Sequence, residues 1–165
     1  MELQPTREDL RIAWLAALAI AIHSVEGVLP SPLPGVKPGL ANVITIAALL
    51  KFGWGTAAWV SLLRVLAGGL LFGAFLSPTF VLSLAGALAS LVVLGAASLL
   101  QDRFSAIGYS ILGALAHMGG QFWTAYGFFI PNEAMMRLLP PLMTAALIFG
   151  LLNGIIARWL VQKLP

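Results

Sequence analysis

The chain has no cysteine and few charged residues for its length. Of its 165 residues, 9% are charged and 60% are hydrophobic, whereas a soluble domain usually carries about 25% charged residues. The absence of cysteine excludes disulfides, thiolate metal sites and cysteine nucleophiles. The net charge of +3 is small, and we expect no nucleic-acid partner. The composition therefore indicates an integral membrane protein made of helices.

The motifs of common enzyme classes are also missing. The chain has no Walker A loop, no G-x-S-x-G and no H-E-x-x-H. Its one adjacent acidic pair is Glu8-Asp9, near the N-terminus, whereas diphosphate chemistry with magnesium normally needs clustered carboxylates. We therefore expect neither an enzyme nor a cofactor. We expect no removed signal peptide either, because no short apolar segment with a small-residue cleavage site opens the chain.

Six apolar segments predict one transmembrane domain over residues 1–165, an all-α bundle of six membrane-spanning helices. The segments run roughly over 10–29, 40–52, 56–75, 79–100, 106–130 and 141–161. A span needs about 20 apolar residues, so the second segment is a partial or tilted span unless it borrows residues from the preceding loop. Residues 1–9 are predicted to be a cytoplasmic lead-in.

The placement of lysine and arginine predicts that both termini face the cytoplasm, because cytoplasmic loops carry an excess of these residues. In this orientation six of the nine basic residues face inside. Lys37 and Arg137 face outside, and Arg64 falls within the third segment. Loops 30–39, 76–78 and 131–140 then face outside. We expect a multi-pass protein of the inner (cytoplasmic) membrane, in contact with the lipid bilayer.

The loop at 30–39 is rich in proline and glycine. The stretch "VLPSPLPGVKPGLANV", residues 28–43, holds four prolines and a single lysine, Lys37. Proline fixes φ and removes a backbone donor, so this segment is not expected to cross the membrane as a helix. It is either a stiff interfacial turn whose Lys37 reaches the lipid headgroups, or a lid over a pocket with Lys37 at its tip.

Polar residues at membrane depth mark the candidate site, because an ionisable group at a helix centre costs at least about 2.5–3.5 kcal/mol. Arg64 is either an anion-binding arginine, whose planar fork suits carboxylate or phosphate, or the partner of Glu26 in a structural ion pair. Both roles are compatible if Glu26 releases Arg64 when a substrate arrives. The candidate substrate-binding residues are Lys37, Asn42, Arg64, His117, Gln121 and Glu26.

His117 and Gln121 are four residues apart on one helix face, next to glycines that leave room for a ligand or for a neighbouring backbone. The alternative is a histidine that only satisfies a buried hydrogen bond. We expect no metal site, because His23 and Glu26 come from a different segment than His117, with no ligand-type spacing between them. An intramembrane enzyme that uses His117 as an acid or base would lack a second catalytic group at a fixed spacing.

Small residues form a stripe on the first segment. Ala13, Ala17 and Ala21 are spaced by four and lie about 150° from His23 and Glu26 around the helix. Such a stripe permits close approach of another helix, either within this protein or from a docking partner. The last segment carries a similar ridge of Ala146, Gly150 and Gly154.

Four stretches in order carry a resemblance to a known family. "LPSPLPGVKPGLANVITIAAL", "VSLLRVLAGGLLFG", "LSLAGALASL" and "GALAHMGGQ" resemble the Gx transporter family, also labelled heptaprenyl diphosphate synthase component I, over about residues 10–161. That family resembles the S components of energy-coupling-factor (ECF) vitamin transporters. The resemblance implies six helices, a pocket open to the outside, and docking of a partner on Ala13, Ala17 and Ala21.

These observations favour a membrane-embedded binding or transport subunit for uptake of a small anionic molecule. The chain has no ATPase motif, so uptake requires either a partner ATPase and coupling-protein module or an ion gradient. The alternative is a non-catalytic membrane subunit in isoprenoid or quinone biosynthesis. A catalytic prenyltransferase is not expected, because the chain has no aspartate-rich DDxxD motif.

Overall fold

The protein is helical throughout the residues that its computed structural model describes, which are 5–28, 39–100 and 103–163. Six α-helices correspond in order to the six predicted apolar segments. They are α1 (Arg7–Val28), α2 (Ala41–Phe52), α3 (Trp54–Leu71), α4 (Pro78–Ser98), α5 (Ala106–Thr124) and α6 (Leu139–Lys163). A π-helical turn at Ala125–Phe129 extends α5, and a 3-10 helix at Glu133–Leu138 leads into α6.

Three helical stretches are long and apolar enough to cross a membrane: Trp54–Leu71, Pro78–Ser98 and Glu133–Lys163. Their hydropathy and the exposed apolar side chains of the bundle identify a membrane protein. Trp14 is 77% exposed, Val92 70% and Leu99 82%, which is the pattern of a surface that lipid covers.

Side-chain caps determine where several helices begin. Thr6 and Asp9 form a reciprocal capping box, in which the Asp9 backbone N–H donates to Thr6 Oγ1 at 3.1 Å and the Thr6 backbone N–H donates to Asp9 Oδ2 at 2.9 Å. Helix α1 consequently begins at Arg7, inside the stretch predicted as a lead-in. Ser77 and Ser105 cap α4 and α5 with one bond each, in which the serine Oγ accepts from the backbone N–H of residue 80 or 108.

The short second helix lies in the middle of the bundle. Helix α2 has 12 residues, which gives a length of about 18 Å at 1.5 Å per residue. It contacts α1, α3, α5 and α6, and it is buried almost continuously from Ala41 to Leu49. Because protein surrounds it, α2 does not need the length of a lipid-facing span, which accounts for its short apolar segment.

Glycines bring α4, α5 and α6 into close contact. A Cβ atom at Gly120 of α5 would lie 2.7 Å from the Ala89 Cβ of α4. A Cβ atom at Gly154 of α6 would lie 2.6 Å from the Ile107 Cα of α5. Gly150 and Gly154 of the ridge therefore pack against α5, and Ala146 is buried as well.

Candidate functional site

A cavity of about 660 Å³ lies at one end of the bundle. Its walls come from the C-terminal parts of α1, α3 and α5, from the first halves of α2 and α4, and from α6 as far as Asn153. This is the end at which the chain leaves α1 at Val28 and enters α2 at Ala41. The volume falls within the range of about 300–1,000 Å³ that is usual for small-molecule sites.

Arg64 is the only basic side chain other than histidine in the described lining of this cavity. Helix α3 places it on the buried side together with Ser61 and Gly68, and it is only 7% exposed. Its Nε atom is buried and has no hydrogen-bond partner among the described residues. A buried donor without a partner costs about 1–3 kcal/mol, more when it is charged, so the described residues leave this donor of the Arg64 guanidinium unsatisfied.

Glu26 supports the start of α2. Its carboxylate accepts hydrogen bonds from the backbone N–H groups of Leu40, at 2.5 Å, and Ala41, at 3.5 Å. An acidic group at a helix N-terminus is favourable because of the helix dipole and the unpaired N–H groups there. Glu26 and Arg64 interact through their charges, but in the described part of the chain they form no direct ion pair. The Glu26 carboxylate is thus engaged with backbone groups, and the Arg64 guanidinium faces the cavity.

Asn153 of α6 supports the same point of the chain from the other side. Its Nδ2 atom donates to the Gly39 carbonyl at 3.2 Å, and that carbonyl also accepts from the Asn42 backbone N–H at 2.8 Å. Gly39 has a φ of +70°, a left-handed conformation that favours glycine. Together Glu26 and Asn153 fix the chain where it enters α2.

His117 and Gln121 form a polar pair on the α5 wall. The Gln121 Nε2 and His117 Nε2 atoms are 3.1 Å apart. Helix α4 approaches this pair at Gly86, where a Cβ atom would lie 2.8 Å from Gln121 Cγ and 2.9 Å from the His117 carbonyl oxygen. The lack of a side chain at Gly86 therefore gives the pair the space that it occupies.

Apolar and aromatic side chains make up much of the remaining wall. Phe72, Phe80, Leu82, Met118 and Phe149 line the cavity beside the polar groups. A polar region with a single arginine thus adjoins an apolar region, which suits a ligand with one charged end and an apolar body.

The structure brings five of the six predicted binding residues into this one cavity: Glu26, Asn42, Arg64, His117 and Gln121. Lys37, with most of the 30–39 loop, lies outside the described residues. His23 and Asn153 also line the cavity, although they were not among the predicted binding residues. Asn153 could have been included because it is a polar residue in an otherwise apolar segment. No group of three His, Asp or Glu suited to a metal ion occurs in the described part of the chain.

The alanine stripe of α1 lies on the outside of the bundle. Ala13, Ala17 and Ala21 are exposed, whereas Ala16 and Ala19 are buried. In this respect the stripe differs from the ridge of α6, whose small residues are covered by α5. A surface of small residues remains open on α1.

The helices and the polar cavity define a helical membrane protein with an internal polar cavity. A comparison with family models then gives the family: the model described as heptaprenyl diphosphate synthase component I matches residues 15–160, and the chain belongs to that family. No curated protein and no solved structure matches the chain.

Proposed function

We propose that this chain is a multi-pass membrane subunit that binds a small anionic molecule in the cavity for transport across the membrane. The observation that carries the proposal is Arg64, a buried guanidinium in an otherwise apolar helix, with an Nε atom that has no partner among the described residues. A buried hydrogen-bond donor is costly to maintain without an acceptor group. A bound carboxylate, sulfonate or phosphate would supply that group through charge-assisted hydrogen bonds.

The other groups of the cavity fit an amphipathic anion. Gln121 and Asn42 offer amide donors, and the phenyl rings beside them offer an apolar surface for the rest of the molecule. In the proposed orientation both termini face the cytoplasm and the cavity opens to the outside. The sequence also predicts that Lys37 contributes to binding, and Lys37→Ala is accordingly expected to weaken binding without changing thermal stability.

Transport requires a source of energy that this chain does not carry in a recognisable motif. We propose that the chain acts like the S component of an ECF transporter in the inner membrane and docks a partner ATPase and coupling-protein module, or else uses an ion gradient. The exposure of Ala13, Ala17 and Ala21 supports docking on α1. Ala17→Leu should then abolish co-purification with such a module while leaving ligand binding unchanged.

Calorimetric titration of the purified protein tests the anion site directly. The probes are benzoate, benzenesulfonate and inorganic phosphate, with neutral benzamide as the matched control for shape. Benzoate or benzenesulfonate should bind and benzamide should not. Arg64→Gln should weaken binding at least tenfold, since a hydrogen bond to a charged group is worth about 1.5–3 kcal/mol.

Arg158→Gln provides the control substitution, because Arg158 is exposed on α6 and does not line the cavity. Its affinity for the probes should equal that of the wild type. Failure of all three anions to bind, or equal binding by Arg64→Gln, would contradict the anion site.

The family description favours a second candidate function. A family described as heptaprenyl diphosphate synthase component I suggests a non-catalytic membrane subunit that associates with a soluble prenyltransferase in isoprenoid or quinone biosynthesis. Co-purification from the native membrane distinguishes the two functions. Recovery with a prenyltransferase supports this second function, and recovery with an ATPase module supports transport.

A further inference from the structure

We infer that anion binding beside Arg64 is coupled to the uptake of one proton from solvent, and that His117 receives the proton. This inference rests on the proposed function, because it concerns the same cavity and the same ligand class. It adds a second bound species, a proton, and with it a means by which a proton gradient could drive accumulation of the anion.

The net charge of the cavity before a ligand arrives depends on four titratable groups in its described lining. The titratable groups in its described lining are His23 and Glu26 from α1, Arg64 from α3 and His117 from α5. Helices α2, α4 and α6 contribute amides, hydroxyls and apolar side chains to that lining, but no titratable group. With neutral histidines, the charges of Glu26 and Arg64 cancel, and the cavity is neutral before a ligand arrives.

Binding of an anion changes the net charge of the cavity. A monoanion that reaches Arg64 leaves the cavity with one negative charge in excess, because Glu26 remains 2% exposed in the same cavity. An uncompensated buried charge costs several kcal/mol even after relaxation. A proton taken up by a group on the cavity wall restores neutrality. Neutral binding of the anion therefore requires a proton acceptor that is close to Arg64.

Among the titratable groups of the cavity, His117 is placed to accept the proton. Glu26 is occupied by the backbone N–H groups of Leu40 and Ala41, and His23 is engaged in another interaction. His117 is paired with Gln121, whose side-chain amide can present either its nitrogen or its oxygen after a half-turn. With the amide nitrogen towards the ring, Gln121 donates to a neutral imidazole. With the oxygen towards the ring, it accepts from a protonated one.

Anion binding at Arg64 and protonation of His117 are coupled through their charges. Arg64 and His117 line the same cavity and interact through their charges. The positive charge of Arg64 opposes a second positive charge on His117 while the cavity is empty. An anion bound to Arg64 offsets that repulsion, so the anion and the proton each increase the affinity for the other.

The test is calorimetric titration with benzenesulfonate, which stays ionised at every pH used, so that any proton taken up must go to the protein. The titrations are run at pH 7 in Tris, bis-Tris and imidazole. These buffers differ in ionisation enthalpy and have no anionic form that competes for the site. The dependence of the observed enthalpy on the ionisation enthalpy of the buffer gives the number of protons taken up.

The wild type should take up about one proton per anion, and its affinity should fall by up to tenfold per pH unit as the pH rises. His117→Gln should bind with no proton uptake and with little dependence on pH. His23→Gln, the comparison for loss of a histidine from the same cavity, should retain the uptake.

Glu26→Gln is a second and independent variant. It leaves the cavity with one positive charge, so benzenesulfonate should bind without proton uptake and at least as tightly as in the wild type. Binding to the wild type with no proton uptake would overturn the inference and leave the anion site intact. Uptake that persists in His117→Gln would overturn the assignment to His117. Absence of any binding would instead contradict the proposed function.

Discussion

Glu26 provides a sharp test of how the bundle is stabilised near the cavity. The substitution Glu26→Ala removes the acceptor of the Leu40 and Ala41 N–H groups and the negative charge that faces Arg64. Each N–H group that is left without its acceptor costs about 1–3 kcal/mol, so the loss of both hydrogen bonds should cost about 2–6 kcal/mol. Glu26→Gln keeps an acceptor oxygen and loses only the charge, so we expect a smaller cost of about 1–3 kcal/mol.

The assay is thermal unfolding of the purified protein in detergent, followed by the fluorescence of its five tryptophans. The melting temperature should fall in the order wild type, Glu26→Gln, Glu26→Ala. Glu133→Gln is the matched control, because it makes the same chemical change at an exposed position, where substitutions usually stay within about 0.5 kcal/mol. If Glu26→Ala melts at the wild-type temperature, Glu26 does not stabilise the start of α2, and our account of this part of the cavity is wrong.

Three further predictions concern packing, a side-chain hydrogen bond and a helix cap. Gly86→Ala should destabilise the protein by about 1–3 kcal/mol and weaken binding of benzoate, because the added Cβ would lie 2.9 Å from the His117 carbonyl oxygen. Gly55→Ala should not destabilise the protein, because its added Cβ would meet nothing within 4 Å. Trp54→Phe should cost about 1 kcal/mol in thermal unfolding, because it removes the 3.0 Å hydrogen bond from the indole Nε1 to the Leu91 carbonyl, whereas exposed Trp59→Phe should not. Hydrogen bonds from Thr6 lower the pKa of Asp9. The stability that this cap contributes should therefore be present above about pH 4 and lost as the pH falls through the lower pKa of the folded state. Asp9→Asn should not show this loss.

The sequence predicted most of the polar cavity because the membrane makes each buried polar group costly. Arg64, His117 and Glu26 stand out in apolar segments for that reason, and no structure is needed to single them out. The sequence could not predict what each group contacts. An ion pair between Glu26 and Arg64 was one of two predicted alternatives, but the Glu26 oxygens accept hydrogen bonds from the backbone N–H groups of Leu40 and Ala41 at the start of α2, which no sequence pattern marks as unpaired.

The helices were easier to predict than their roles in packing. Apolar length and turn residues located all six segments, but two stripes of small residues had the same pattern in the sequence. The α6 ridge packs against α5, and the α1 stripe lies on the surface. The difference arises from which helices are neighbours in space. For the same reason the sequence did not indicate that α2 is central, since a short apolar segment fits either a buried helix or an incomplete span.

The position of the cavity and its charge together constrain the mechanism more than either does alone. The cavity lies where α1 and α2 meet the proline-rich loop, and two of its polar side chains, Glu26 and Asn153, bond to the chain at residues 39–41. A ligand that draws Arg64 away from Glu26 would therefore alter the electrostatic environment of the residue that supports α2. Binding at Arg64 and the stability of the start of α2 would then be linked through Glu26. In Glu26→Gln this link is weakened, so an anion should still bind while its effect on the start of α2 is smaller.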